Sequence, residues 1–108
     1  MRSVPAKPPR INVTIGLLQL IGVLQSEPGH SYWYGYEIMK KTEMPSGKLY
    51  PMLHRLEAAG WIESRFEDGT AQGLGRPLRR MYSFTELGQE HAERLRWAAS
   101  ELRDVEAT

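Results

Sequence analysis

The chain contains no cysteine, and this absence excludes several kinds of site at once. Disulfide scaffolds, thiolate zinc sites, iron–sulfur clusters and cysteine nucleophiles all need that side chain. A long apolar run is absent too, because Asn12, Thr14 and Gln19 interrupt residues 11–24, which fall short of the roughly 20 residues of a membrane span. No small-residue cleavage site of a secretory signal accompanies the run. We therefore expect a soluble, intracellular protein.

The net charge is small as well, +1 over 108 residues, but it is unevenly distributed. Residues 1–82 carry eleven Lys and Arg against seven Asp and Glu, whereas residues 83–108 carry three against six. A basic body followed by an acidic segment favours a polyanionic partner for the body. The length and the hydrophobic fraction of 41% are typical of one globular domain.

The first part of the chain predicts an arm and an unusually apolar helix. Residues 1–11 are rich in proline and are predicted to be flexible. Over residues 12–25 apolar side chains nearly encircle a predicted helix. Because such a helix must be covered on more than one side, we expect part of its surface to meet a second subunit.

A short helix over residues 36–41 precedes a longer predicted helix. Ser46 is predicted to cap this longer helix, which runs to about Ala59, and Gly60 is predicted to end it. The apolar residues of the longer helix recur at the spacing of one helical face: Leu49, Met52, Leu53 and Leu56.

Alternation over residues 61–66 and 80–84 predicts a β-hairpin, and the Gly- and Pro-rich residues between them predict a long flexible tip. Thr85 is then predicted to cap a final helix from Glu86 to about Leu102 or beyond. Apolar residues at near-heptad spacing on this helix favour a helix–helix dimer contact. The predicted seam contains Leu87, His91, Leu95, Ala98 and Leu102.

A helix-turn-helix followed by a hairpin is the winged-helix arrangement, whose second helix enters the DNA major groove. Opposite its apolar face, that helix presents candidate contacts to phosphates and base edges: Ser46, Lys48, Tyr50, His54 and Arg55. The hairpin tip adds guanidinium groups suited to phosphates or a narrow minor groove: Arg76, Arg79 and Arg80.

Some of these residues have a second interpretation. Tyr50 is equally consistent with packing against the hairpin, and Arg55 with an ion pair to Glu57. Because Arg79 and Arg80 alternate along a strand, one of the two can point inward.

No catalytic or metal-binding constellation is recognisable in the sequence. Ser46 and Lys48 lack an oxyanion hole and a third group, and the three histidines lie on separate elements without metal-ligand spacing. We therefore predict no enzyme activity, no cofactor and no metal. Trp97, next to the seam, is expected to pack in the dimer, with an aromatic effector pocket as the alternative.

Three segments carry a family resemblance: YGYEI at Tyr34–Ile38, SGKLYPMLHRLEAAGWI at Ser46–Ile62 and GRPLRRMYSFTELG at Gly75–Gly88. Across residues 14–90 the chain closely resembles the PadR family of bacterial transcriptional regulators. The resemblance implies a winged-helix dimer that represses transcription at palindromic operators and dimerises through its C-terminal helix, often with help from the first helix. It also implies, for some members, a planar aromatic effector between the subunits.

The resemblance further implies which residues bind DNA. Its recognition-helix role falls on Ser46, Lys48, Tyr50 and Arg55, and its wing role on Arg76, Arg79 and Arg80.

We therefore expect a mainly α fold with a small β-hairpin (α+β). A winged helix-turn-helix over residues 12–85 would lie between a flexible arm over 1–11 and a dimerisation helix over 86–108. The expected function is sequence-specific DNA binding by a homodimeric repressor in the bacterial cytoplasm, at the nucleoid. Its partners would be double-stranded DNA and a second copy of the chain, with a planar aromatic compound as candidate effector. The alternative is an architectural or protein-interaction winged-helix factor, of phage or plasmid type, that acts on DNA with a partner protein.

Overall fold

The computed structural model describes residues 10–27 and 29–107, with side chains as far as Glu101. Most of the predicted N-terminal arm, residues 1–9, lies outside the described residues. The elements follow in the order α1 (Ile15–Leu24), β1 (Trp33–Tyr34), α2 (Gly35–Thr42), α3 (Ser46–Ala58), β2 (Ile62–Phe66), α4 (Ala71–Leu74), β3 (Arg80–Phe84) and α5 (Glu86–Ala107). The predicted winged helix-turn-helix, mainly α with a small sheet, is confirmed.

The hydrophobic core is built around one face of α3. The predicted set Leu49, Met52, Leu53 and Leu56 is buried, which confirms the spacing argument. Fully burying an aliphatic side chain of this size stabilises the fold by about 1.5–3 kcal/mol, so this face anchors α3 firmly. The largest buried side chains packed with it are Leu17, Leu20, Ile21, Trp33, Ile38 and Ile62.

The apolar helix α1 is covered on one side. Thr14 caps it by accepting a hydrogen bond from the backbone N–H of Leu17 at 3.1 Å. The opposite side stays on the surface, where Ile15 is 77% exposed and a Cβ built on Gly22 would meet no atom within 4 Å. The expectation of a surplus apolar surface on this helix therefore holds within the described chain.

The sequence predicts the end of α3 correctly and its start wrongly. Ser46 is not the N-cap, and that prediction is wrong. Pro45 holds the position in an extended conformation, with φ −66° and ψ 152°, so the helix already includes Ser46. At the other end Gly60 adopts a left-handed φ of +81°, and the Trp61 N–H donates to the carbonyl of Leu56 at 2.9 Å. This is the predicted glycine-terminated helix end.

The sheet has one strand more than predicted. β2 and β3 form the expected antiparallel hairpin, and β1 pairs with the other edge of β3, with Trp33 opposite Tyr82. The connection that the sequence predicts as a flexible tip contains a helical turn, α4, which the sequence does not predict. Thr70 caps this turn by accepting from the Gly73 N–H at 3.0 Å, and Gly75 ends it at φ +69°.

Helix α5 is attached to the end of α3 by its first turn. As predicted, Thr85 caps it, accepting from the Gly88 N–H at 3.0 Å, while the Thr85 hydroxyl donates to the carbonyl of Gly60. A Cβ built on Gly88 would lie 1.8 Å from the carbonyl oxygen of Trp61. This close approach admits only glycine.

The substitution Gly88→Ala should therefore destabilise the protein by about 3 kcal/mol, since the added methyl group forces backbone apart. Gly47→Ala is the matched control, since a Cβ on Gly47 would meet no atom within 4 Å, and it is expected to leave stability unchanged or raise it by roughly 0.5–1 kcal/mol. Urea unfolding followed by circular dichroism measures both. Equal midpoints for Gly88→Ala and the native protein would contradict the docking of α5 on Trp61.

Candidate nucleic-acid interface

The outward face of α3 has an uncharged centre. Successive residues of a helix are about 100° apart, so the positions opposite the buried face are Gly47, Pro51, His54 and Ala58. All four are exposed. Of the predicted contact residues, His54 alone lies at this centre, and the others lie at its flanks. The small residues Gly47 and Ala58 let a second surface approach the helix backbone closely there.

One flank of α3 carries two cations. Lys48 lies against the start of α1, where a Cβ on Gly16 would be 3.4 Å from its Cε atom. Arg55 lines a shallow cleft with Arg10 and Thr14. Within the described chain neither Lys48 nor Arg55 forms an ion pair, so the alternative pairing of Arg55 with Glu57 is not observed.

The other flank of α3 faces the hairpin through Tyr50. This side chain is 42% exposed, and its hydroxyl oxygen would lie 2.7 Å from a Cβ on Gly35. Tyr50 therefore packs against the start of α2 and keeps an open edge, and its contact with DNA stays a prediction. A cleft of about 260 Å³ joins it to the hairpin, lined by Tyr34, Gly35, Tyr36, Tyr50, Arg79, Arg80 and Tyr82.

Arg79 and Arg80 are both exposed, and each lies over an aromatic ring. The guanidinium carbon of Arg79 is 4.7 Å from the ring centre of Tyr36, and that of Arg80 is 4.6 Å from the ring of Phe66. Arg80 also donates to the Ser64 hydroxyl at 2.8 Å. Stacking of this kind orients a guanidinium group while its N–H groups stay available in the plane.

Arg76 behaves differently from the other two wing arginines. Its guanidinium donates twice to the carboxylate of Glu67, with Nη2 at 3.2 Å from Oε2. Glu67 also accepts from the backbone N–H of Arg79 at 2.9 Å and from the Tyr34 hydroxyl at 3.3 Å. Together with this pairing, the hydrogen bonds lower the pKa of Glu67 from 4.5 to about 2. Arg76 thus closes the start of the loop between β2 and β3, and its role in DNA binding stays a prediction.

The predicted seam on α5 is partly covered by the same chain. His91 stacks on Trp61 of the same chain, with ring centres 4.4 Å apart, and Leu95 packs against the core. Leu87 and Ala98 face outward, while the side chain of Leu102 lies outside the described residues. Its role in a dimer stays a prediction, like that of the other four.

Trp97 lies on the side of α5 away from the domain. It is 68% exposed. No group of three potential metal ligands occurs in the described chain. The helices described there are too short or too polar to cross a membrane.

The sequence matches a known family over most of its length. The profile of the transcriptional regulator PadR-like family matches residues 20–94. The chain belongs to this family. No curated protein sequence matches it.

Solved structures share the fold of this PadR-like protein. A PadR family transcription regulator from Clostridium difficile is 22% identical, with 85% of this chain and 94% of that chain covered at a TM-score of 0.69. A PadR-like transcriptional regulator from Bacillus cereus is 23% identical, with coverage of 83% and 84% and a TM-score of 0.63. One from Eggerthella lenta is 22% identical, with coverage of 82% and 77% and a TM-score of 0.65.

Sequence reasoning missed three parts of this surface in the PadR-like chain. The Tyr36 ring lies under the Arg79 guanidinium, and the Glu67 carboxylate closes the start of the loop between β2 and β3. Pro51 and Ala58 lie at the centre of the outward face of α3. The positions of Pro51 and Ala58 could have been predicted from the sequence, because positions opposite an apolar face follow from helical spacing alone.

Replacing Glu67 with Gln should make the stability of the fold depend less on pH in the acid range. A carboxyl group with a lower pKa in the folded than in the unfolded chain stabilises the fold above its unfolded pKa. This stabilisation is lost as the pH falls from 4.5 to about 2. The urea midpoint of the native protein should therefore decline more steeply over that interval than the midpoint of Glu67→Gln.

Asp68→Asn is the control for this comparison, because Asp68 is almost fully exposed and lies 3.7 Å from Arg65. It should behave like the native protein. If Glu67→Gln declined as steeply as the native protein, the assigned role of this carboxylate would be wrong.

Proposed function

We propose that this PadR-like regulator is a homodimeric repressor that binds a palindromic operator and occludes a promoter. The observation that carries the proposal is the cleft between α3 and the hairpin. It joins Tyr50 of α3 to Arg79, just before β3, and to Arg80, the first residue of β3, so the predicted recognition helix and wing form one continuous surface. A surface of this shape and charge fits a groove and its two phosphate backbones.

In this proposal α3 enters the major groove with its uncharged centre foremost. His54 lies at that centre and is the candidate reader of base edges, while Ala58 and Pro51 can meet thymine methyl groups. Lys48 and Arg55 lie together on one flank of the centre and are the candidate phosphate contacts there, with Ser46 as a further phosphate donor at the helix start. The bases are then read beside these positioning contacts.

The hairpin contributes the contacts on the other side of α3. Arg79 and Arg80 are exposed and already oriented by the rings beneath them, which favours phosphate or minor-groove contacts. Arg76 is included with a supporting role, because its pairing with Glu67 leaves it fewer free donors.

Dimerisation rests on the two apolar surfaces that the domain leaves uncovered. On α1 these are Ile15 and the open edge at Gly22, and on α5 they are Leu87, Ala98 and Trp97. Division into a DNA-binding unit, residues 12–85, and a dimerisation helix, residues 86–108, follows from this assignment. Each protomer would address one half-site about one helical turn of DNA from the other. A planar aromatic effector beside Trp97 stays a prediction.

The variant Lys48→Ala should weaken DNA binding on every sequence. Removing one phosphate contact lowers the slope of log K against log salt concentration by about 0.9. Fluorescence anisotropy with an operator selected from random DNA, titrated at several salt concentrations, measures the slope.

Lys41→Ala serves as the control. Lys41 lies 3.4 Å from Glu27 near the end of α1, whereas Lys48 lies at its start. The slope should not change in this variant. An unchanged slope for Lys48→Ala would show that Lys48 does not contact phosphate. If the native protein bound no DNA even at low salt, the proposed function would be wrong.

The variant Ala98→Glu should convert the dimer into monomers, because it places a charge in the centre of the seam. Size-exclusion chromatography with light scattering gives the mass, and operator affinity should fall with it. Ser100→Glu, on a different side of α5, should stay dimeric. A native protein that is monomeric and binds DNA only with another protein would instead support the architectural alternative.

A further inference from the structure

Two consecutive hydrogen bonds join the last turn of α3 to an arginine of the hairpin. The Ser64 hydroxyl of β2 donates to Oε2 of Glu57 in α3 at 2.8 Å. The same hydroxyl oxygen accepts from Nη1 of Arg80 at 2.8 Å. Both distances are those of well-formed hydrogen bonds. We call these three residues the Glu57–Ser64–Arg80 relay.

The register of the hairpin explains why these side chains meet. Across the antiparallel pair of β2 and β3, Arg80 lies opposite Phe66, and Tyr82 lies opposite Ser64. Because side chains alternate along a strand, these four lie on one face of the hairpin. Tyr82 is buried, Ser64 is half-buried and Arg80 is exposed. Ser64 can therefore hold an arginine whose far end is in solvent.

The relay orients the Arg80 guanidinium and leaves most of its donors free. A hydroxyl group has one proton and two lone pairs, so when Ser64 donates its proton to Glu57, its lone pairs remain for Arg80. The Phe66 ring, 4.6 Å from the guanidinium carbon, fixes the plane of the group. Of the five N–H donors of a guanidinium, the relay uses one. Arg76 differs, because it donates two hydrogen bonds directly to a carboxylate.

We propose that Ser64 and Glu57 are positioning residues for DNA binding, which hold Arg80 in the orientation in which it meets a phosphate. The inference rests on the proposed function, since Arg80 is a contact only if the hairpin meets DNA. A donor that is already oriented loses less conformational freedom on binding, so the relay raises affinity without touching DNA. Because Glu57 belongs to α3, the relay also sets the place of this hairpin contact relative to the helix proposed to enter the major groove.

The first test compares the affinities of Ser64 variants for the selected operator by fluorescence anisotropy. Ser64→Ala should weaken binding about three- to tenfold, the range of one hydrogen bond. Ser64→Thr keeps the hydroxyl on a side chain suited to a strand, and it should restore the affinity to within about twofold of the native value. Circular dichroism shows that each variant is folded.

Double variants show whether the effect depends on Arg80. In an Arg80→Ala protein, Ser64→Ala should have no further effect, because the partner of the hydroxyl is gone. Arg79→Ala is the matched control, since Arg79 is held by the Tyr36 ring rather than by the relay. In that protein Ser64→Ala should still weaken binding about three- to tenfold.

The variant Glu57→Ala separates positioning from simple electrostatics. Removing a carboxylate near DNA phosphates strengthens binding by itself, because it removes a like charge. The relay predicts the opposite, a loss of affinity of about twofold or more. Glu63→Ala is the control, since Glu63 is exposed on the opposite face of β2. Its affinity should stay unchanged or rise.

A measurement without DNA distinguishes failure of the relay from failure of the proposed function. NMR relaxation of the arginine Nε–H groups reports their mobility on the picosecond to nanosecond timescale. The Arg80 signal, identified by its absence in Arg80→Lys, should be more mobile in Ser64→Ala than in the native protein. The Arg55 signal should be equally mobile in both, because Arg55 lines a cleft on the other flank of α3.

Four results would overturn the inference. They are equal Arg80 mobility in the native and Ser64→Ala proteins, equal operator affinity of these two proteins, an undiminished effect of Ser64→Ala in the Arg80→Ala protein, and binding strengthened by Glu57→Ala. Each leaves the proposed function in place, provided that the native protein binds the operator. A native protein that binds no DNA would overturn the proposed function and the role of the relay in DNA binding together, whatever the mobility of Arg80.

Discussion

The burial of one face of α3 is the constraint on which the rest of the structure depends. Leu49, Leu53 and Leu56 are each at most 1% exposed, and they fix the rotation of α3 about its own axis. That rotation decides which residues face outward, so His54 reaches the centre of the exposed face only because the leucines are buried. Truncating one such leucine costs about 2–5 kcal/mol, a large share of the 5–15 kcal/mol that stabilises a typical domain. The proposed DNA-reading surface and the core therefore depend on the same rotation of α3.

A second, smaller constraint shapes the hairpin. The Glu67 carboxylate accepts hydrogen bonds from β1, from the connection after α4 and from the backbone before β3. It thereby occupies Arg76 and leaves Arg79 to stack on Tyr36. A guanidinium that is already oriented loses less conformational freedom when it meets a phosphate, so the cost of binding falls. The carboxylate acts on the interface without touching it.

The parts of this structure that the sequence predicted are those set by local chemistry. Each of these features depends only on residues close to it in the sequence. They are the leucine spacing of α3, the left-handed conformation of Gly60 and the cap formed by Thr85. The Glu67 pair with Arg76 was not predictable in this way, because it joins residues across a turn and many other partners were open to both. β1 was missed because two residues show no alternation. His91 shows a third limit, since apolar spacing reveals a covered side but not whether the cover belongs to the same chain.

Helix α5 is where these constraints meet. Its first turn is attached to the end of α3 by Thr85 and Gly88, and its middle packs on the domain through Ala92. Its other sides line a cleft, through Glu93 and Arg96, and present the proposed seam. A ligand changes a distant site only if it favours one of two arrangements of the element between them. The contact of Gly88 with Trp61 leaves no room for a side chain, so α5 cannot rotate there without moving the end of α3. A rearrangement of α5 at the proposed seam can therefore be transmitted to α3 through that contact, beside the packing of Ala92 on the domain.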